Sequence, residues 1–153
     1  MMFVYLDIAW GIFCKATLEQ AVRVGARYGI TNVIPDPNRP DLCASSATLT
    51  NCITQHVQWA AGAASGTLLG GLLGGTTGAS YINVAYYVPG TTTPITLPNT
   101  TANNGGNVLV VSIVNYPIST LVGPYIAPNS SSLATVASAD TMTQVVSTLQ
   151  PAP

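Results

Sequence analysis

The first 30 residues, MMFVYLDIAWGIFCKATLEQAVRVGARYGI, constrain this chain more than any other stretch. They open as a near-continuous apolar run and turn amphipathic after Cys14. Ala, Leu, Glu, Gln, Lys and Arg dominate the second half, and all are good helix formers. Lys15, Glu19, Arg23 and Arg27 recur every four residues as a slowly drifting polar stripe, with Glu19 and Arg23 in the favourable acid-before-base order. Leu18, Ala21, Val22, Gly25 and Tyr28 fall along another face, where a core or a sheet can pack. The pattern predicts one long helix, apolar at its start and basic further along.

The apolar start leaves three readings open. Met1 to Cys14 makes about 21 Å of helix at 1.5 Å per residue, short of the roughly 30 Å a bilayer core demands. Asp7 lies within it, and an acid at membrane depth is costly unless it faces a partner. A signal peptide would carry a basic leading region and a small-residue cleavage site, and neither is present. The run is the end of a longer transmembrane helix whose start is missing, a helix buried in a subunit assembly, or an ordinary core helix. In an assembly, Phe3, Leu6, Asp7, Trp10, Phe13, Lys15, Leu18, Ala21 and Gly25 are the residues expected to form the contacts. Asp7 would then need a partner such as Lys15, or a neighbouring subunit's positive terminus, to offset its burial.

Charge is scarce elsewhere. Only 6% of the 153 residues are charged, against about 25% in an average domain. Between Asp41 and Asp140 there is no Lys, Arg, Asp or Glu at all. A surface of hydroxyls and amides is common on secreted, cell-surface and polymeric proteins, and a net charge of −1 lowers the barrier to self-association. Nucleic-acid binding is disfavoured, because neutralising phosphates takes clustered Lys and Arg and the one cluster sits on the helix.

Prolines at 35, 37 and 40 end the first helix firmly. This divides the chain into a helix over 1–30 and a β-rich globular part over 31–153. A second helix follows, capped by Ser45, Ser46 or Thr48, with Leu49, Cys52, Ile53, His56, Val57 and Ala60 on one face and Gly62 as its stop. Cys43 and Cys52 are nine residues apart and read either as a local disulfide in an oxidising compartment or as two free buried thiols. Glycines at 62, 66, 70, 74 and 78 recur every fourth residue, and a short helical turn is expected around Leu68–Leu73 with loops on each side. Tyr81–Val88 reads as a strand, and Pro89–Asn107 as an exposed loop with too little apolar surface to pack. Val108–Tyr116 is the strongest strand, apolar on both faces and so expected at the centre of a sheet, with Pro117 closing it. Ser119–Ser132 reads as a second loop, Leu133–Met142 as a third strand, and 143–153 as a tail. The fold class is α+β: a long N-terminal helix on an antiparallel sheet of three or four strands, with a short second helix.

Two stretches, ATLEQAVRVGARYGIT and VVSIVNYPISTLVGPYI, followed by LATVASADTM, resemble the TadE-like pilins of bacterial tight-adherence pilus systems. The first is similar to the family's helix as it leaves the membrane through a Gln-Ala-x-x-x-Gly-Ala-Arg-Tyr element. The second is similar to its strand, Tyr-Pro and loop segment ahead of an Ala-rich closing strand. The resemblance implies a pilin-like fold and a non-enzymatic structural subunit of a surface filament that assembles through its N-terminal helix. It equally implies a membrane-anchored minor pilin or adhesion module that does not itself form the fibre. The implied partners are further copies of the chain, other pilins, and the inner membrane with its assembly machinery. The implied location is the cell surface, or the inner membrane with a periplasmic domain. Family members begin with a basic leader and a longer apolar run containing Glu, whereas MMFVYLDIAW stands where the family would be well inside its helix.

Catalytic chemistry has few residues to draw on. The one His, His56, lies on the apolar face of the second helix, where a core or boundary role is expected. A Ser-His-Asp triad would have to recruit Asp36, Asp41, Asp7 or Asp140. Cys52 and His56 could share a metal, but a closed zinc site takes four ligands and the nearest further candidate is Cys43. No enzyme activity, cofactor, metal or small-molecule substrate is expected.

Overall fold

The structure is a computed structural model of the 153-residue chain, and it describes residues 2–31, 36–43, 47–62, 72–96, 106–119, 135–139 and 142–146. Helix α1 runs without interruption over Met2–Thr31. At 1.5 Å per residue it is about 45 Å long. Leu18, Ala21, Val22, Gly25, Ala26 and Gly29 are all buried on it, at i, i+3, i+4, i+7, i+8 and i+11. That spacing forms a single stripe, and it contains the expected packing face, with Tyr28 half-buried beside it.

Helix α2, Leu49–Ala60, packs on that stripe. Thr48 caps it, its hydroxyl accepting from the Asn51 N–H at 3.3 Å. Leu49, Cys52, Ile53, His56 and Val57 turn inward, as their spacing predicts. Gly62 ends the helix at φ +85°, with its N–H donating to the Trp59 carbonyl. A left-handed residue in this place suits glycine.

The two helices approach closely because α1 offers glycine at the contact. A β-carbon on Gly25 would stand 2.3 Å from Val57 Cγ2, and one on Gly29 2.9 Å from Ile53 Cδ1. At Gly78 the obstacle is backbone, since a β-carbon there would lie 2.1 Å from the Leu73 carbonyl carbon. Gly25→Leu and Gly78→Ala are each expected to lower unfolding free energy by about 1–3 kcal/mol through overpacking. Urea titration measures this, and a wild-type midpoint for either variant would contradict the packing described.

Strands β1 (Ile82–Tyr87) and β2 (Val108–Ile113) pair antiparallel, with Ile82 opposite Ile113 and Tyr87 opposite Val108. Strand β5, Met142–Val146, pairs antiparallel on the other side of β2, giving the order β1-β2-β5. β2 is therefore central, as its apolar run predicts, and Leu109, Val111 and Ile113 are fully buried. Helix α1 lies across β2 and β5, while α2 meets β1. Tyr86 is buried on β1, its hydroxyl 3.1 Å from Thr50 Oγ1 of α2, so sheet and helix are tied by a polar contact inside the core. The molecule is α+β, with its long N-terminal helix packed on an antiparallel sheet.

Several expectations need correction. The third strand expected over Leu133–Met142 is shorter, Thr135–Ala139, and most of a further strand, β5, falls in the stretch from 143 that reads as a tail. Strand β4, Thr135–Ala139, pairs with β3, Tyr116–Ser119, whereas β5 joins the main sheet. The cause lies upstream: Asn115 takes φ +55°, which breaks the line after β2 and sets Tyr116 off as a new strand with its own free edge. Pro117 therefore stands inside β3, opposite Ser138, and an edge strand tolerates a residue without an N–H. The helical turn expected near Leu68–Leu73 falls partly outside the described residues. Leu72 and Leu73 form a turn, and the short helix α3 follows at Gly75–Ala79. The Pro89–Asn107 segment is not wholly a free loop. Pro94 bridges to Tyr87, the Ile95 N–H donates to the Tyr86 carbonyl at 2.7 Å, and Ile95 packs on the core. Most of the second expected loop, 120–132, lies outside the described residues, as does the tail beyond Val146.

Candidate assembly surface

Two features of this fold could carry function, one on the surface and one buried. The surface feature is the first half of α1. Tyr5, Leu6, Ile8, Ile12 and Phe13 are 68%, 44%, 53%, 66% and 50% exposed, which is unusual for side chains this large and apolar. Ala9 and Ala16 are exposed between them. On a helix of 3.6 residues per turn these positions span an arc of about 160°. The opposite side is covered: Cys14 is buried, and Trp10, Leu72 and Tyr116 pack around it. Burial pushes the Cys14 thiol above its ordinary titration range, which leaves it a small hydrophobe. The Tyr116 hydroxyl donates to the Leu72 carbonyl and fixes this patch to the domain. Trp10 also stacks on Phe13, with ring centroids 5.7 Å apart.

The character of the helix surface changes at Lys15. Beyond it Lys15, Arg23 and Arg27 are exposed and Glu19 is half-buried, so the outer face is charged where the inner face is core. Before it the outer face is apolar. The residues expected to make assembly contacts consequently divide. Leu6 and Phe13 are on the exposed arc, Asp7 and Trp10 are half-buried, Lys15 is exposed, and Leu18, Ala21 and Gly25 are taken up by the chain's own core. Phe3 lies on the first turns of α1, and its side chain is outside the described residues. No helix among the described residues is long and apolar enough to cross a membrane.

The buried feature centres on His56. Its Nδ1 lies 2.9 Å from the Cys52 carbonyl and its Nε2 2.9 Å from Asp36 Oδ2, with both side chains at most 8% exposed. The Tyr28 ring stacks on the imidazole at 3.8 Å and 8°, and the Tyr28 hydroxyl donates to Cys43 Sγ at 3.1 Å. Cys43 is disulfide-bonded to Cys52, which closes the expected nine-residue step. Asp36 also accepts from the Asn38 N–H at 2.8 Å, a local turn that Asp-Pro-Asn favours. Burial alone would raise the Asp36 carboxyl, but the hydrogen bonds from Asn38 and His56 outweigh it and hold the group below its ordinary 3.8. Both ring nitrogens are therefore engaged within the fold, one against a backbone carbonyl and one against a carboxylate, and the neighbouring sulfurs are joined to each other. This cluster holds the fold together. The Asp36 partnership is not legible in the sequence, where Asp36 is one of four acids that a triad would have to recruit.

Neither a scan against protein-family models nor searches of curated proteins and of solved structures return a match for this chain.

Proposed function

We propose that this chain is a non-enzymatic, pilin-like structural subunit of a bacterial surface filament, assembling through the first half of its N-terminal helix. One observation carries the reading: five large apolar side chains, Tyr5, Leu6, Ile8, Ile12 and Phe13, face solvent on a helix whose other side is anchored in a folded domain. Exposed apolar patches of this kind mark interaction surfaces. The neutral sequence between Asp41 and Asp140 suits the outside of a polymer, where little charge opposes close approach of copies. The resemblance of Ala16–Thr31 and Val110–Ile126 to TadE-like pilins points the same way. A second reading, an anchored minor pilin or adhesion module, is favoured by the same arc, because Tyr5, Ile8 and Ile12 would also suit the boundary between lipid headgroups and acyl chains.

The two readings part on one experiment. The full chain and its Ile8→Glu/Ile12→Glu variant are compared by sedimentation in detergent-free buffer and on lipid vesicles. Removing two isoleucines from an apolar contact is expected to raise the concentration for half-assembly more than about a hundredfold. Assembly that survives this double change would overturn the proposal, and binding to vesicles without assembly would favour the anchored module.

A further inference from the structure

Residues 36–43 lead from the end of α1 back to α2 and are fastened along one stripe of that helix. Cys43 is bonded to Cys52, Asp36 meets His56, and the Arg39 guanidinium lies 4.4 Å from the centroid of the Trp59 ring. Cys52, His56 and Trp59 stand at i, i+4 and i+7, the positions that share a helix face. From α1, Tyr28 touches two of the three fasteners at once, its ring on His56 and its hydroxyl on Cys43 Sγ. Arg39 is in turn gripped by Asp41 through two hydrogen bonds, at 3.1 and 3.0 Å, which stiffens the middle of the segment.

The fasteners respond to different chemistry. The disulfide opens only to a reductant, and both of its cysteines are fully buried. The Asp36–His56 pair responds to acid. Among the described residues, the charged and titratable groups around His56 are Asp36, Arg39 and Asp41 on residues 36–43 and Tyr28 on α1, while the disulfide contributes no titrating thiol. When Asp36 takes up a proton, His56 Nε2 no longer faces a charged acceptor, and the buried contact between the two is weakened. With Cys43 bonded to Cys52, the far end of the segment stays within reach, so Asp36 remains at high effective concentration beside His56. Without that bond only the backbone at either end of the segment holds it there.

We propose that residues 36–43 form a two-key latch: with the disulfide closed they stay on α2 through acid, and with it reduced, acid releases them and uncovers His56 and Tyr28. Reduction by a water-soluble phosphine is balanced as follows. The disulfide gains two electrons and two protons and becomes two thiols, and the phosphine takes oxygen from water to become its oxide.

The chain has a single His, so the ring C–H signals of His56 can be followed in the full protein without assignment. The face of Tyr28 shields that ring, and an upfield position therefore reports the closed latch. Spectra are taken from about pH 7 to about pH 3, a range that crosses the ordinary carboxylate values, in the oxidised and the reduced protein. The upfield position is expected to persist throughout in the oxidised protein, and to be lost on acidification and regained on neutralisation in the reduced one. Methyl signals of Val84 and Leu109 should meanwhile remain those of a folded core. Reduced Asp36→Asn is expected to lose this acid dependence. The Cys43→Ala/Cys52→Ala variant should titrate like the reduced protein. Identical titrations in both redox states, a reduced protein closed throughout, or loss of the core methyl signals together with the His56 signal would each overturn the latch.

Discussion

His56→Ala is expected to lower the unfolding free energy by about 3–5 kcal/mol, more than either glycine substitution, because it strands a buried carboxylate. The Asp36 side chain is 8% exposed and would lose its side-chain donor, keeping the local backbone N–H groups of Asn38 and Arg39. Tyr28 would lose the ring it stacks on, and the Cys52 carbonyl would lose its donor. Asp36→Asn keeps the shape and one acceptor for Nε2, so its cost should be smaller, about 1–2 kcal/mol. Replacing both partners by leucine removes the charge altogether and should be less damaging than His56→Ala alone. Urea midpoints order the three variants, and a His56→Ala protein within about 1 kcal/mol of wild type would refute the pair. The sign with pH follows from Asp36. Its carboxyl is held below its ordinary 3.8, so its stabilisation is complete above that value. It is lost as pH falls through the lower folded value, because the unfolded chain then binds the proton first.

Removing the disulfide is the second large perturbation. Cys43 and Cys52 close a loop of about ten residues, and releasing it returns about 2–3 kcal/mol of chain entropy to the unfolded state. The measurement is the thermal or urea midpoint of Cys43→Ala/Cys52→Ala against the oxidised protein. The effect should not add to that of His56→Ala. Both act on residues 36–43, and Tyr28 contacts both sites, so a double-mutant cycle should show coupling rather than independence. Simple additivity within a few tenths of a kcal/mol would mean that Tyr28 does not link them.

Much of the fold was legible because periodicity records which face is covered. Leu18, Ala21, Val22 and Gly25 on α1, and Leu49, Cys52, Ile53 and Val57 on α2, repeat at helical spacing and are buried as that spacing requires. Thr48 as cap, Gly62 as stop and Val108–Ile113 as central strand were local decisions, made by hydroxyl, glycine and β-branched chemistry. The pairings between distant segments were not legible. Nothing near Asp36 says that it reaches His56 twenty residues on; the path of residues 36–43 across α2 decides that. Nothing in LATVASADTM says that its strand, Thr135–Ala139, leaves the main sheet while the residues after it join that sheet, since a left-handed Asn115 twenty residues before Thr135 creates the second edge. The surface of α1 was half legible. Fourteen apolar-rich residues with one acid name no covered side, and it is the contact of Trp10 and Cys14 with Leu72 and Tyr116 that leaves the other side bare.

That bare arc is where the functional reading stands, so its occupant should be sought directly. Material sheared from cells that make this protein would be imaged by negative-stain electron microscopy, and the intact mass of its main subunit determined. Filaments composed chiefly of this chain are the expected result. Absence of filaments, with the chain retained in the membrane fraction, would contradict its role as the fibre's structural subunit.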